Sequence, residues 1–138
     1  MNREKVASDH SSLSESFRKA ESKKSNLILE ASFLHLQGEY EAAAHRFALA
    51  ADLETELATQ LTGMGNTDRA FVHLFSAISC WGRAGDLHRA LSLGEELLRS
   101  DGPSQSQRQQ VTAYLDSLRR RMAQWMRQWD SAALQTAD

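Results

Sequence analysis

The sequence predicts an all-α protein, and three observations favour this fold class. Apolar residues recur with the helical period over long stretches, and the glycines and the single proline fall mostly between those stretches. Only seven glycines occur in 138 residues. Because proline breaks helices and glycine weakens them, this scarcity indicates long uninterrupted helices. The length suits one domain that buries a core of its own.

Composition and charge argue against several classes of protein. The formal net charge is −2, with 16 basic and 18 acidic residues, so no overall field attracts nucleic acid or anionic lipid. A single cysteine, Cys80, excludes an intramolecular disulfide and is compatible with a reducing compartment. The first 25 residues show no apolar signal-peptide core, and no apolar run approaches about 18 residues. We therefore expect a cytoplasmic protein without a membrane span.

The N-terminal segment, residues 1–23, is polar and rich in serine. We expect it to be partly disordered or helical. Leu13, Phe17 and Ala20 lie on one helical stripe, which favours a helix over residues 11–24 leading into the next segment.

Two segments, residues 27–50 and 74–97, share one pattern. Each has an apolar helical stretch, a glycine followed by an acidic and an apolar residue, and a second helical stretch. Glycine accepts the left-handed conformation that ends a helix, and the acid suits the positive end of the next helix. Short connections make the paired helices antiparallel. The pattern therefore predicts two helix hairpins, with turns at Gly38-Glu39-Tyr40 and Gly85-Asp86-Leu87.

The second helix of the first hairpin is predicted to be long. Its apolar period continues from Tyr40 to Leu61, about six turns. Residues 63–68 then interrupt the period, and we expect Thr67 or Asp68 to be the N-cap of the following helix.

The C-terminal segment predicts one more long helix, over residues 104–129, with residues 130–138 frayed. Pro103 marks its start, and Ser104 with Gln107 has the pattern of a capping box. Apolar residues alternate with 4-3-4 spacing, which is typical of a narrow seam along one other helix. We expect this helix to cap the hairpins. The seam comprises Val111, Leu115, Leu118, Met122, Trp125 and Trp129.

The two hairpins resemble the tetratricopeptide repeat. The first copy matches through Leu27, Ala31, Leu34, Gly38-Glu39-Tyr40, Ala43, Phe47 and Ala50. The second copy matches through Leu74, Trp81, Gly85-Asp86-Leu87, Ala90, Leu97 and Pro103, and departs at Ile78 and Gly94. The resemblance covers residues 24–103, and residues 24–129 are expected to form the helical domain. Gly85 follows Gly38 by 47 residues, whereas the family repeats every 34 or so, and we expect the excess to lengthen the second helix of the first hairpin.

The resemblance implies a protein-binding groove formed by the first helix of each hairpin. The Lys/Asn/Arg clamp that some family members use for a C-terminal carboxylate is missing, so an apolar helix or extended segment fits better. A closed bundle with these residues inside is the alternative. The groove positions are Ile28, Ser32 and His35 from the first hairpin, and Val72, Phe75, Ser79 and Arg83 from the second.

No set of residues indicates catalysis, a cofactor or a metal. The five histidines are scattered without the i, i+4 spacing of helical metal ligands. Cys80 lies in an apolar stretch without an evident base, and Gly63-Met64-Gly65 lacks the lysine of a phosphate loop. We therefore expect a protein that is not an enzyme and has no cofactor.

The leading functional hypothesis is a non-catalytic adaptor or scaffold that binds a protein segment, in the groove or on the seam at Leu118, Met122, Trp125 and Trp129. The first alternative is a homo-oligomeric bundle that pairs through the C-terminal helix. The second is nucleic-acid binding through the arginines of that helix, of which three are consecutive at 119–121. Consecutive arginines point around a helix, which favours a solvated face.

Overall fold

The computed structural model describes residues 2–136, and the side chains of residues 15–135. Met1, Ala137, Asp138 and the side chain of Leu13, all part of the predictions above, lie outside this range. The described chain forms five α-helices and no strand, which confirms the all-α prediction. Each helix packs mainly against the next one in the sequence. The helices are α1 (Asn2–Leu36), α2 (Tyr40–Gly63), α3 (Thr67–Arg83), α4 (Leu87–Arg99) and α5 (Gln105–Thr136).

The first three turns have the same geometry. Gly38, Gly65 and Gly85 have φ angles of 80°, 78° and 82°. In each turn the amide after the glycine donates to a carbonyl five residues earlier, as from Glu39 to Leu34 at 2.9 Å and from Asp86 to Trp81 at 3.0 Å. This is the Schellman closure of a helix. The junction between the predicted hairpins, at Gly65, is therefore built like the turns within them.

Side-chain caps are formed at the starts of α3, α4 and α5, whereas Glu39, the N-cap of α2, makes no side-chain cap hydrogen bond. Ser104 and Gln107 form the predicted capping box: the Ser104 amide donates to Gln107 Oε1 (2.9 Å) and the Gln107 amide to Ser104 Oγ (3.1 Å). Asp86 Oδ1 accepts from the Arg89 amide at 3.1 Å. The N-cap of α3 is Asn66, and the prediction of Thr67 or Asp68 is wrong. Because Gly65 closes α2, the next residue already flanks α3, and Asn66 Oδ1 accepts from the Arg69 amide at 3.3 Å.

The terminal helices are longer than the sequence patterns suggested. α1 is continuous from Asn2 to Leu36, without a break near residue 23. α5 runs past Trp129 to Thr136, through residues that were expected to fray. The continuation is consistent with its composition, since residues 132–135 are Ala, Ala, Leu and Gln, all good helix formers.

An i, i+4, i+7 pattern of buried and half-buried apolar residues recurs in α1, α3 and α5. Its central residues, Ala31, Ile78 and Leu115, are completely buried. In α5 the pattern packs on α4, where a Cβ on Gly94 would lie 2.5 Å from a Leu115 methyl. The glycine therefore lets α5 approach α4 closely. The full triplets are residues 27, 31 and 34; 74, 78 and 81; and 111, 115 and 118.

α5 extends well beyond its neighbour. α4 has 13 residues and α5 has 32, and the short connection of residues 100–104 makes them antiparallel. Leu118 is the last fully buried side chain of α5, Met122 is half-buried, and all side chains from residue 123 to residue 135 are exposed. We call residues 122–136 the overhang.

Candidate functional site

The predicted groove positions differ in their exposure and in their neighbours. His35 packs edge-on against Tyr40 of its own turn, with ring centroids 5.0 Å apart. Ile28 and Ser32 are half-buried, while Val72 on α3 is 61% exposed. Among the described side chains, no hydrogen bond, ion pair or ring contact joins the predicted α1 positions to the predicted α3 positions.

Two of the α3 groove positions are covered by α5. The Tyr114 ring lies against Phe75, with centroids 5.8 Å apart, and its hydroxyl donates to the Ser79 carbonyl at 3.4 Å. A third position, Arg83, places its guanidinium 4.8 Å from the centre of the buried Phe47 ring. These residues hold α3 to its neighbours, which leaves little of the predicted groove for a partner.

The predicted seam divides into a buried part and an open part. Leu118 is fully buried, and a Cβ on Gly82 would lie 3.3 Å from it. Its assignment to a partner-binding surface is therefore wrong: it belongs to the core. Trp125 and Trp129 are 62% and 66% exposed, and their rings stack with centroids 5.8 Å apart and planes 24° apart.

Met126 is a further exposed member of this surface, at 56%, and the 4-3-4 spacing missed it. At 100° per residue, positions 126 and 129 lie within about 60° of one another on the helix. Widening the seam by one position on each side would have found Met126.

The open seam borders a notch at the end of the bundle. The core-facing side of α5 continues past the α3–α4 turn, so the overhang and the turn enclose a recess of about 920 Å³. Its apolar wall comes from Leu87, Met122, Trp125 and Met126. Its polar wall includes Asp86, His88, Arg121, Gln124 and Gln128.

The arginines of α5 have different roles. Arg119 pairs with Asp116 and with Glu95 of α4, both at 3.1 Å. Within residues 15–135, Arg120, Arg121 and Arg127 make no ion pair. Arg120 and Arg127 are seven residues apart and therefore share a face of the helix. This face lies about 180° and 160° around the helix axis from Val111, and the seam is centred near Val111. The positive charge thus lies largely opposite the tryptophans.

α1 carries a second exposed apolar stripe, which the sequence analysis did not single out. Leu29, Phe33 and Leu36 are 72%, 62% and 84% exposed, and their i, i+4, i+7 spacing places them on one face. That face is opposite the buried Ala31. The sequence contains this stripe as a second helical spacing of apolar residues, besides the spacing that was assigned to the core.

A buried ionic cluster joins α1, α2 and α3, and the sequence analysis missed this too. Glu54 is 1% exposed; its Oε1 lies 3.3 Å from Lys24 Nζ and 3.0 Å from His73 Nδ1. His73 Nε2 lies 4.0 Å from Glu21, which also contacts Arg69 at 3.5 Å. Three helices thus share one set of charges, which fixes their relative register.

The remaining reactive groups do not form a site. Burial, followed by the charge of Glu54, raises the pKa of the Cys80 thiol from 9.0 to about 11, so it stays protonated at neutral pH. Within the described residues, no three His, Cys, Asp or Glu side chains are placed to hold a metal ion. In the same range, no helix combines the length and the apolar character needed to cross a bilayer.

Comparison with known proteins gives no relative. No family model, no curated protein and no solved structure matches the chain.

Proposed function

We propose that the chain is a non-catalytic protein–protein interaction module that binds a helical protein segment along the overhang of α5. One observation carries the proposal. The core-facing seam of α5 continues into solvent, where Trp125, Met126 and Trp129 are each more than half exposed. Tryptophan and methionine are enriched in the buried centres of protein interfaces. Three such side chains exposed side by side on a monomer mark a surface on which a partner's apolar side chains pack.

The shape of this surface favours a helix as the bound segment. The apolar side chains form a stripe at i, i+3 and i+4 spacing along a straight helix, the arrangement that packs along one other helix. The notch offers room beside the stripe, since the α3–α4 turn bounds it at one end only. A segment entering from the tip of α5 would lie along the stripe and end at Gly85–Leu87.

We also propose that the hairpins are tetratricopeptide-like. Support comes from the left-handed glycines at 38 and 85, from the antiparallel pairs α1–α2 and α3–α4, and from the buried triplet that recurs in α5. In this arrangement α5 occupies the place of the first helix of a third hairpin. One face of α5 bears Gln110, Ser117 and Gln124, which are polar, and this supports a capping role for α5.

Nucleic-acid binding through α5 is less well supported. Such sites combine phosphate pairing and base stacking on one face. Here Arg120 and Arg127 lie opposite the tryptophans, Arg119 is paired within the chain, and Trp125 stacks on Trp129. A strand that stacked on these rings would leave most of the arginines beyond reach.

Site-specific photo-crosslinking tests the proposed function. A photoreactive residue at Gln128, which lines the notch, is expected to crosslink to a protein in an extract of the source cells. The same residue at Gln109, on the body of α5, serves as control. The crosslink should be lost in the Trp125→Ala/Trp129→Ala variant. Equal crosslinking from both positions, or none that depends on the tryptophans, would overturn the proposal.

A further inference from the structure

We propose that the helical segment bound along the overhang is the overhang of a second copy of this chain, in antiparallel orientation. This rests on the proposed function, because it names the partner of the same surface. Four features of the overhang support this assignment: the order of side-chain sizes along the seam, the charges beside it, the position of the helical body, and the exposed apolar area.

Side-chain size favours antiparallel pairing. Along the exposed seam, the large residues Trp125, Met126 and Trp129 come first, and the small residues Ala132 and Ala133 follow on the same face. In an antiparallel pair the large end of one helix meets the small end of the other. A parallel pair would place tryptophan against tryptophan. Alternation of large and small residues across facing positions is what lets two helices interdigitate.

The charges beside the seam allow a second copy. With Met122 and Trp129 at heptad position a and Trp125 at position d, residues 126 and 133 fall at position e. Residues 121, 128 and 135 then fall at position g. These flanks are Met, Ala, Arg, Gln and Gln. Arg120 and Arg127 are f positions, on the outer side of the pair. Among the flanking positions of the overhang, only Arg121 brings charge near the interface, so two overhangs meet without a row of like charges.

The position of the body excludes parallel pairing. The seam faces the same side as the buried residues of α5, where α3 and α4 lie. In a parallel pair, the partner's body would occupy the space already filled by this chain's α3–α4 turn. In an antiparallel pair the two bodies lie at opposite ends.

The apolar area is enough for a dimer of modest affinity. A tryptophan buries about 150–250 Å², and these are about three-fifths exposed, so four of them contribute roughly 400–600 Å². The methionines, alanines and flanking glutamines bring the total near the roughly 1,000 Å² that a specific interface needs. We expect a dissociation constant of about 10–100 μM, as is common for small interfaces.

Sedimentation velocity of the full chain, at concentrations from about 1 to 200 μM, tests the proposal. The expected result is a rise from the mass of one chain to that of two. Trp125→Ala/Trp129→Ala should weaken dimerisation at least about 100-fold, since each tryptophan acts in both copies. Arg120→Gln/Arg127→Gln, on the outer face, is the matched control and should leave it unchanged. Circular dichroism of each variant reports whether the helices are retained.

Orientation is tested with two single-cysteine variants in a Cys80→Ala background, Met126→Cys and Ala133→Cys. Mixed together, they should form a disulfide between different variants faster than either forms one alone, because residues 126 and 133 face each other only in the antiparallel pair. Faster self-crosslinking of either variant would overturn the orientation.

The outcomes separate this inference from the proposed function. A strict monomer at 200 μM or so, or a dimer that is insensitive to both tryptophans, overturns the inference. If the Gln128 position nevertheless crosslinks to a different protein, the proposed function stands with another occupant. A crosslink to nucleic acid alone would overturn both.

Discussion

Glu54 is the residue on which the packing of three helices depends most directly. Its carboxylate is buried and contacts Lys24 and His73, so removing it leaves two polar groups without their acceptor. Breaking one partner of a buried ion pair typically costs about 3–5 kcal/mol. We expect Glu54→Ala to lower the free energy of unfolding by about 3 kcal/mol in urea titrations.

Glu56→Ala, on the exposed side of the same helix, is the control and should change the free energy of unfolding by less than about 0.5 kcal/mol. Replacing Lys24 and Glu54 together, as in Lys24→Met/Glu54→Leu, should recover part of the loss, because Lys24 is then no longer left without its carboxylate; His73 Nδ1 still loses its partner. If the double variant is less stable than Glu54→Ala, the ionic cluster is not what limits stability.

Ionisation of the Cys80 thiol makes the free energy of unfolding depend on pH in the alkaline range. Burial raises the pKa of its thiol from 9.0 to about 11, so the folded state holds a proton that the unfolded state releases between these values. Stability is therefore complete below pH 9 and falls as pH rises towards 11. Two pKa units correspond to about 2.7 kcal/mol at most.

The free energy of unfolding, measured from pH 8 to 11 for the native chain and for Cys80→Ala, tests this expectation. The native chain should lose more stability over this interval than the variant. Parallel curves would show that the thiol titrates alike in both states. At pH 8 the native thiol should also react with iodoacetamide far more slowly than a free cysteine.

At the scale of elements, Gly94 sets how closely α5 packs on α4. A Cβ at this position would lie 2.5 Å and 2.8 Å from the two methyl groups of Leu115. Gly94→Ala should therefore destabilise the fold by about 1–2 kcal/mol, although alanine is the better helix former. Gly63→Ala is the control, since nothing lies within 4 Å of a Cβ there. Urea titration should show no loss for the control.

The two halves of α5 differ in their contribution to stability. Leu118 is completely buried, so Leu118→Ala should cost about 3 kcal/mol. Trp125→Ala/Trp129→Ala removes far more apolar volume but should change the monomer's free energy of unfolding by less than about 0.5 kcal/mol. The measurement is made near 1 μM, below the expected dimerisation range. A large effect of the tryptophans at that concentration would mean that the overhang folds back on the body.

Local elements were the most predictable part of the structure. Turn glycines and the Ser104–Gln107 box depend on short-range chemistry, and the structure has them where the sequence indicated. Asn66 was missed because the turn at Gly65 was read as a loop rather than as a Schellman closure. Glu54 was missed because its charge hid a position that the apolar period of α2 requires to be buried. In both cases the spacing of the residues indicated the structural role of the position, and the residue type obscured it.

At the scale of the whole molecule, the helices form a chain of nearest-neighbour contacts. Protection against amide hydrogen exchange should follow that order. α2 and α3, which share the most extensive interface, should exchange slowest, and the overhang, whose described side chains are mostly exposed, fastest. Exchange mass spectrometry near 1 μM checks this, and slowing of residues 122–136 at high concentration would agree with dimerisation.

The predicted groove shows where sequence reasoning stops. The order of the helices follows from short turns, but contacts between distant helices depend on how far each one tilts. Tyr114 reaches Phe75 and Ser79 across some 35–39 residues of sequence, and nothing in either segment indicates that pairing. Likewise, the open seam is defined by where α4 begins, which no residue of α5 encodes.

The anchor of α5 at its first turn has a mechanical consequence. The Arg108 guanidinium donates to the carbonyls of Leu98 and Ser100, which ties the beginning of α5 to the end of α4. With 32 residues, α5 is a rigid lever about 48 Å long. A tilt of about 5° at the anchor displaces its tip by about 4 Å. Whatever the tip holds is therefore coupled, by leverage alone, to the angle between the last two helices.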